Sequence, residues 1–128
     1  MNDMDLLDSQ KIEKLKAIFD KMTEEAELGG VLFANREGGI ITHNFEKNSE
    51  LRNFSSMCAS VLESAEEMGK IINDKKIDKI VAELDDKTIL IIKYDNSAFL
   101  TLIIESFSKI GLIIENLDEY FQQIRNYY

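Results

Sequence analysis

Apolar residues recur along this chain at two spacings, and each spacing dictates an element. Ile12, Leu15, Ile18, Phe19 and Met22 return every three or four positions, and Lys11, Glu13, Lys16 and Asp20 fill the intervals. That pattern is a helix with one apolar face. Asp8 or Ser9 can cap its start. Residues 1–8 then stand outside it as a flexible lead, and Gly29-Gly30 closes it. A second helix is expected from about Glu50 to Asn73, capped by Asn48 or Ser49. Its apolar positions are Leu51, Phe54, Cys58, Val61, Ala65, Met68 and Ile72. Steps of three and four alternate there, as in a narrow seam that packs helix on helix. Ser55, Ser56, Ala59, Ser60 and Ser64 crowd the seam and permit close approach.

Strand-like runs occupy the rest. Residues 31–34 and 40–43 flank a short polar link and read as a hairpin. KIVAEL at 79–84, TILIIKY at 88–94 and AFLTLIIE at 98–105 follow, separated by Asp85-Asp86-Lys87 and Asp95-Asn96-Ser97. The last of these is apolar on both sides, as a central strand covered on both faces should be. A final helix starts near Ser106 or Ser108, with Ile110, Ile113, Ile114, Leu117, Tyr120, Phe121 and Ile124 on a broad apolar face. The order α-β-β-α-β-β-β-α predicts an α+β fold: one antiparallel five-stranded sheet with three helices. The first and last helices have the broadest faces and should share one side of the sheet, leaving the other to the second helix.

The link between the first two strands carries Gly38-Gly39, which raises the question of a phosphate-binding loop. Such a loop needs further glycines and Lys-Ser/Thr opening a helix. Here Ile40, Ile41 and Thr42 follow, which favour strand. A tight turn is the better reading, because glycine reaches positive φ at little cost.

Bulk numbers narrow the function classes. A chain of 128 residues makes one domain, with 45% hydrophobic and 30% charged residues. Its net charge of −9 opposes a nucleic-acid role, since phosphate binding needs clustered Lys and Arg, and disfavours docking on anionic lipid. No secretory signal is expected at MNDMDLLD, and no apolar run is long enough for membrane insertion. A single cysteine, Cys58, fits a reducing cytoplasm.

Chemistry-bearing residues are sparse. His43, the only histidine, lacks the company of a triad or metal site and reads as a surface strand residue. Cys58 sits on the apolar seam without a basic neighbour and reads as a small buried hydrophobe. Asp85-Asp86 reads as a turn, and Glu24-Glu25 and Glu66-Glu67 as solvated helix faces. Lys75, Lys76 and Lys79 form a basic spot that either meets an acidic partner or keeps a sheet edge soluble. No catalytic residue, metal site or cofactor is expected.

Three stretches carry a further likeness: Leu28 to Gly38, Ile80-Val81-Ala82-Glu83 with Ile89-Leu90-Ile91-Ile92, and Phe107 to Ile113 with Gly111 in the first turns of the last helix. In this order they resemble the Roadblock family, and related longin and profilin-like folds share much of the pattern. That family includes dynein light chains, subunits of lysosomal scaffold complexes, and bacterial and archaeal regulators of small Ras-like GTPases. The resemblance implies a non-catalytic homodimer that binds such a GTPase. Alternatives are a motor or scaffold subunit without a GTPase partner, and a small-molecule sensor. Carried onto this chain, the dimer interface falls on Ile80, Val81 and Ala82 of a strand and on Phe54, Met57, Cys58, Val61 and Leu62 of the second helix. Positions of that helix pointing away from the sheet, Arg52, Ser56, Ser60, Glu63 and Glu67, make the partner platform. Arg36 at the hairpin tip is the next candidate. Phe45 to Arg52 is short and very polar, so contacts made there in relatives do not transfer.

Overall fold

The run at 98–105 does become the middle of the sheet. The computed structural model describes residues 3–105 and 110–128, with side chains from Ser9 onward. Its elements are α1 (Asp3–Ala26), β1 (Leu28–Asn35), β2 (Ile40–His43), α2 (Leu51–Ile71), β3 (Lys79–Glu83), β4 (Lys87–Lys93), β5 (Ala98–Glu105), α3 (Ile110–Glu115) and α4 (Leu117–Arg125). The five strands lie in the order β2-β1-β5-β4-β3, with every neighbour pair antiparallel. The architecture is therefore α+β.

Alternation along β5 divides the core in two. Leu100, Leu102 and Ile104 meet Leu15, Phe19 and Met22 of α1, Ile113 of α3, and Tyr120 and Ile124 of α4. Phe99, with Leu32, Ala34 and Ile91 of its neighbours, meets Leu51, Cys58, Ala59 and Leu62 of α2. The expected division of helices between the faces is the observed one. Tyr120 also ties α4 to α1, its hydroxyl donating to Glu25 Oε2 at 2.6 Å. Burial first, and then that bond, push its pKa up to about 12.

Several boundaries differ from the sequence expectation, each for a local reason. Helix α1 begins at Asp3, not near Asp8 or Ser9, since neither Gly nor Pro interrupts the residues before them. It ends at Ala26, and Glu27 (φ 54) makes the turn. Gly29 and Gly30 are inside β1 instead of closing the helix. A Cβ at Gly30 would stand 2.7 Å from the Phe45 ring, so glycine there admits an aromatic lid. At α2 the cap residue is Glu50, whose N–H donates to Asn48 Oδ1 at 2.8 Å. The expected last helix is divided at Asn116 into α3 and α4. Its proposed starts, Ser106 and Ser108, fall outside the described residues.

The β1–β2 hairpin answers the glycine question. Asn35 Oδ1 accepts from the N–H groups of Glu37 and Gly39, at 3.1 and 2.8 Å, and Gly38 takes φ +92. The tip then rests on α2, where Ser55 Oγ donates to the Gly38 carbonyl at 2.8 Å. A Cβ on Gly38 would lie 2.7 Å from Ser56 Cα. Gly38→Ala therefore meets both a strained backbone and a fixed helix, and should cost about 1–3 kcal/mol of stability. Urea unfolding checks this; an unchanged midpoint would show that the hairpin tip does not need its glycine.

Candidate functional site

Helix α2 holds more apolar residues than one face requires. Its inner face is made of Leu51, Ser55, Cys58, Ala59, Leu62, Ala65 and Gly69. Most are small, so the helix lies close on the sheet. A second stripe remains outside: Met57 is 60% exposed, Val61 45%, Met68 58% and Ile71 84%. These recur at steps of four, seven and three, one flank of a helix turning about 100° per residue.

That flank has a direction. Gly38 abuts Ser55 and Ser56, so the hairpin occupies the other flank of α2. The apolar stripe lies on the flank away from that tip, where Met57 borders Phe45 and Ile103. Strand β3 ends the sheet, pairing with β4 alone among the described residues. Val81 and Leu84 are exposed beside it, and Ile80 is half-buried against the α2 layer. An unpaired strand edge and an exposed apolar stripe are each surfaces built to be covered.

The residues singled out from sequence are placed as follows. Met57 and Val61 are exposed on α2, Val81 and Ala82 are exposed on β3, and Phe54 and Ile80 are half-buried. Cys58 and Leu62 are not on the outer stripe: both are buried, Leu62 completely. They belong to the inner stripe, which a reading of α2 as one seam merges with the outer one. Burial pushes the Cys58 thiol above its ordinary pKa, against a smaller opposing pull from the Thr101 hydroxyl. A protonated, enclosed thiol is a poor nucleophile.

Arg52, Ser56, Ser60, Glu63 and Glu67 are all exposed, on the polar flank. Arg52 and Ser56 join Asn35, Glu37 and the Gly38-Gly39 tip around an open cleft of ≈550 Å³. Arg36 is not part of that cleft. Its guanidinium donates to Glu66 Oε1, and Lys93 Nζ approaches Glu66 Oε2 at 3.1 Å. The Arg36 N–H also donates to the Ser97 carbonyl at 3.1 Å. Arg36 is thus a clamp between hairpin, helix and the β4–β5 turn. Glu66, in turn, is no merely solvated helix residue. The pair lies 30 positions apart in sequence, and no local pattern joins them.

His43 accepts the Phe45 N–H at its Nδ1, 3.1 Å away, which holds the loop that follows β2. Among the described residues no three His, Cys, Asp or Glu converge to hold a metal ion. No described helix is long and apolar enough to cross a membrane.

A family model described as the Roadblock/LC7 domain matches residues 14–104. Gliding protein MglB from Thermus thermophilus superposes with TM-score 0.79 at 13% identity, covering 89% of this chain and 87% of that one. Myxococcus xanthus MglB gives 0.80 at 16% identity, over 88% and 86%. A third structure, described as MglB with tetrameric arrangement, gives 0.80 at 14%, over 89% and 87%. At such identities the likeness is one of fold. No curated protein sequence matches the chain.

The clamp makes an acid-dependent prediction. Burial works to raise the Glu66 pKa, but the hydrogen bonds and charges of Arg36 and Lys93 outweigh it and hold it below 4.5. A depressed folded-state pKa gives stability that is present above the unfolded value and lost as pH falls through the folded one. Wild type should therefore exceed Glu66→Gln in stability at neutral pH, with the gap closing below about pH 4.5. Denaturant melts of both proteins across pH measure it; a gap that stays constant into acid would mean the carboxylate charge contributes nothing.

Proposed function

The chain belongs to the Roadblock/LC7 domain family, and on that premise we propose that it is a non-catalytic homodimeric module that binds a small Ras-like GTPase, as regulator or scaffold. The observation that carries the reading is that two surfaces suited to self-association are left uncovered: the open β3 edge, and the exposed stripe Met57, Val61, Met68 and Ile71 of α2. A two-fold axis at that edge sets β3 antiparallel to its copy and brings the two stripes together. Such an isologous contact closes on itself, so it yields a dimer and no open chain. The tetrameric arrangement described for an MglB adds support for self-association in this fold.

In that dimer the polar flanks of both α2 helices, with the cleft at each hairpin tip, stay open. Arg52, Ser56, Ser60, Glu63 and Glu67 then form the platform for the GTPase. One asymmetric partner seated across a two-fold ridge blocks a second, which gives two subunits per GTPase. This protein supplies no phosphate loop and, among the described residues, no metal-ligand set of its own, so any effect on hydrolysis acts within the partner's site.

The dimer and the platform are tested separately. Light scattering at tens of micromolar should give twice the chain mass for wild type. Val61→Asp with Val81→Asp should give monomer, because burying unpaired carboxylates costs several kcal/mol. A wild-type monomer would refute the dimer. Pull-down with GTP-loaded and GDP-loaded host GTPases should capture one of them in a nucleotide-dependent way. Glu63→Lys with Glu67→Lys should weaken that capture and leave the dimer intact, since rim charges govern encounter and specificity. Capture as tight as wild type at every salt concentration would move the platform elsewhere.

A further inference from the structure

We propose that the cleft at the C-terminal end of α2 is a docking site for a short acidic segment of a partner protein. It lies between the end of α2 and the start of β3, and its charges are read independently of self-association. Against a net charge of −9, four lysines gather around one cleft of ≈350 Å³: Lys70, Lys75, Lys76 and Lys93, with Glu66 and Asp74 between them. Glu66 is already engaged by Arg36 and Lys93, and Lys70 holds Glu67 at 3.1 Å. Lys75 and Lys76 are exposed, and among the described residues neither has a carboxylate partner. They are the available charges.

The turn that presents them is fixed. Asn73 and Asp74 both take left-handed backbone, φ 55 and 56. Two successive non-glycine residues in that region persist only where the surroundings hold them. Here the Lys75 N–H donates to the Gly69 carbonyl at 2.7 Å, and the Asp74 N–H to Lys70 O at 3.2 Å. Gly69 has room for this approach and for nothing more, since a Cβ there would stand 2.2 Å from Lys75 O. Both lysine stems therefore start from set points, which reduces the ordering cost of binding.

The chemistry favours carboxylates. Phosphate recognition is best served by the planar fork of arginine, and the arginine beside this cleft, Arg36, is occupied by Glu66. Ammonium groups act as separate point charges and suit separate carboxylates. The acidic charge of the rest of the molecule repels a long polyanion, so the ligand is short.

A hexaglutamate peptide is the probe, added to the full chain at about 0.15 M salt and followed by backbone amide chemical shifts. Hexaglutamine, inorganic phosphate and phosphatidylglycerol vesicles are the comparisons. Saturable shifts centred on Lys75, Lys76, Ile77 and Asn96 with hexaglutamate, and none with hexaglutamine, are expected. Lys75→Glu with Lys76→Glu should weaken the binding about tenfold or more. Should that variant fail to fold, Lys75→Gln with Lys76→Gln provides the same comparison. Shifts scattered over other lysines, equal affinity in the variant, a stronger response to phosphate or vesicles, or no saturation with hexaglutamate would each overturn the proposal.

Discussion

Strand β5 has apolar side chains on both faces, so both faces must be covered, and the other elements are arranged by that demand. Phe99 points to one layer, Leu100 and Leu102 to the other, and all three are fully enclosed. One chain of this length meets the demand with two unequal layers. Helices α1, α3 and α4 share one side, whereas α2 alone serves the other. A single helix cannot cover five strands, since it is about 10 Å across and neighbouring strands lie about 4.8 Å apart. Strand β3 is left the least covered, with four of its five residues exposed.

Small residues on the inner face of α2 connect this constraint to function. Ser55, Ala59, Ala65 and Gly69 let the helix settle on the sheet, and they leave its larger apolar residues to face outward. The hairpin tip and the Glu66 clamp then fix the helix from the other flank, through Gly38 and Arg36. The two flanks of one helix thereby differ: an apolar side away from the hairpin tip and a polar side bordered by it. The proposed contacts, with a second copy on one flank and a different protein on the other, use that difference.

The strands and the division of helices were legible in the sequence because both depend on local spacing. KIVAE, TILIIK and AFLTLIIE are bounded by acidic turns, and Asp95 closes its turn by accepting the N–H groups of Ser97 and Ala98. The orientation of α2 was not legible, because two apolar stripes were interleaved and either could be the core. Cys58 and Leu62 were assigned to the dimer interface for that reason, and both are buried. A buried Ser55 also carries no sequence signal, since its hydroxyl is satisfied only by the distant Gly38 carbonyl. Gly29 and Gly30 resembled a helix stop, while their role is to admit Phe45 and Ile103 against a strand. Arg36 at a turn looked free until tertiary structure brought Glu66 to it.

The central claim is that β3 completes its hydrogen bonding with a second copy. Amide hydrogen exchange along residues 79–83, followed as protein concentration rises, measures it most directly. The account predicts that the β3 amides not bonded to β4 slow down in step with dimer formation. Free exchange of those amides in a protein that is fully dimeric would contradict it, and would move the two-fold contact to another surface.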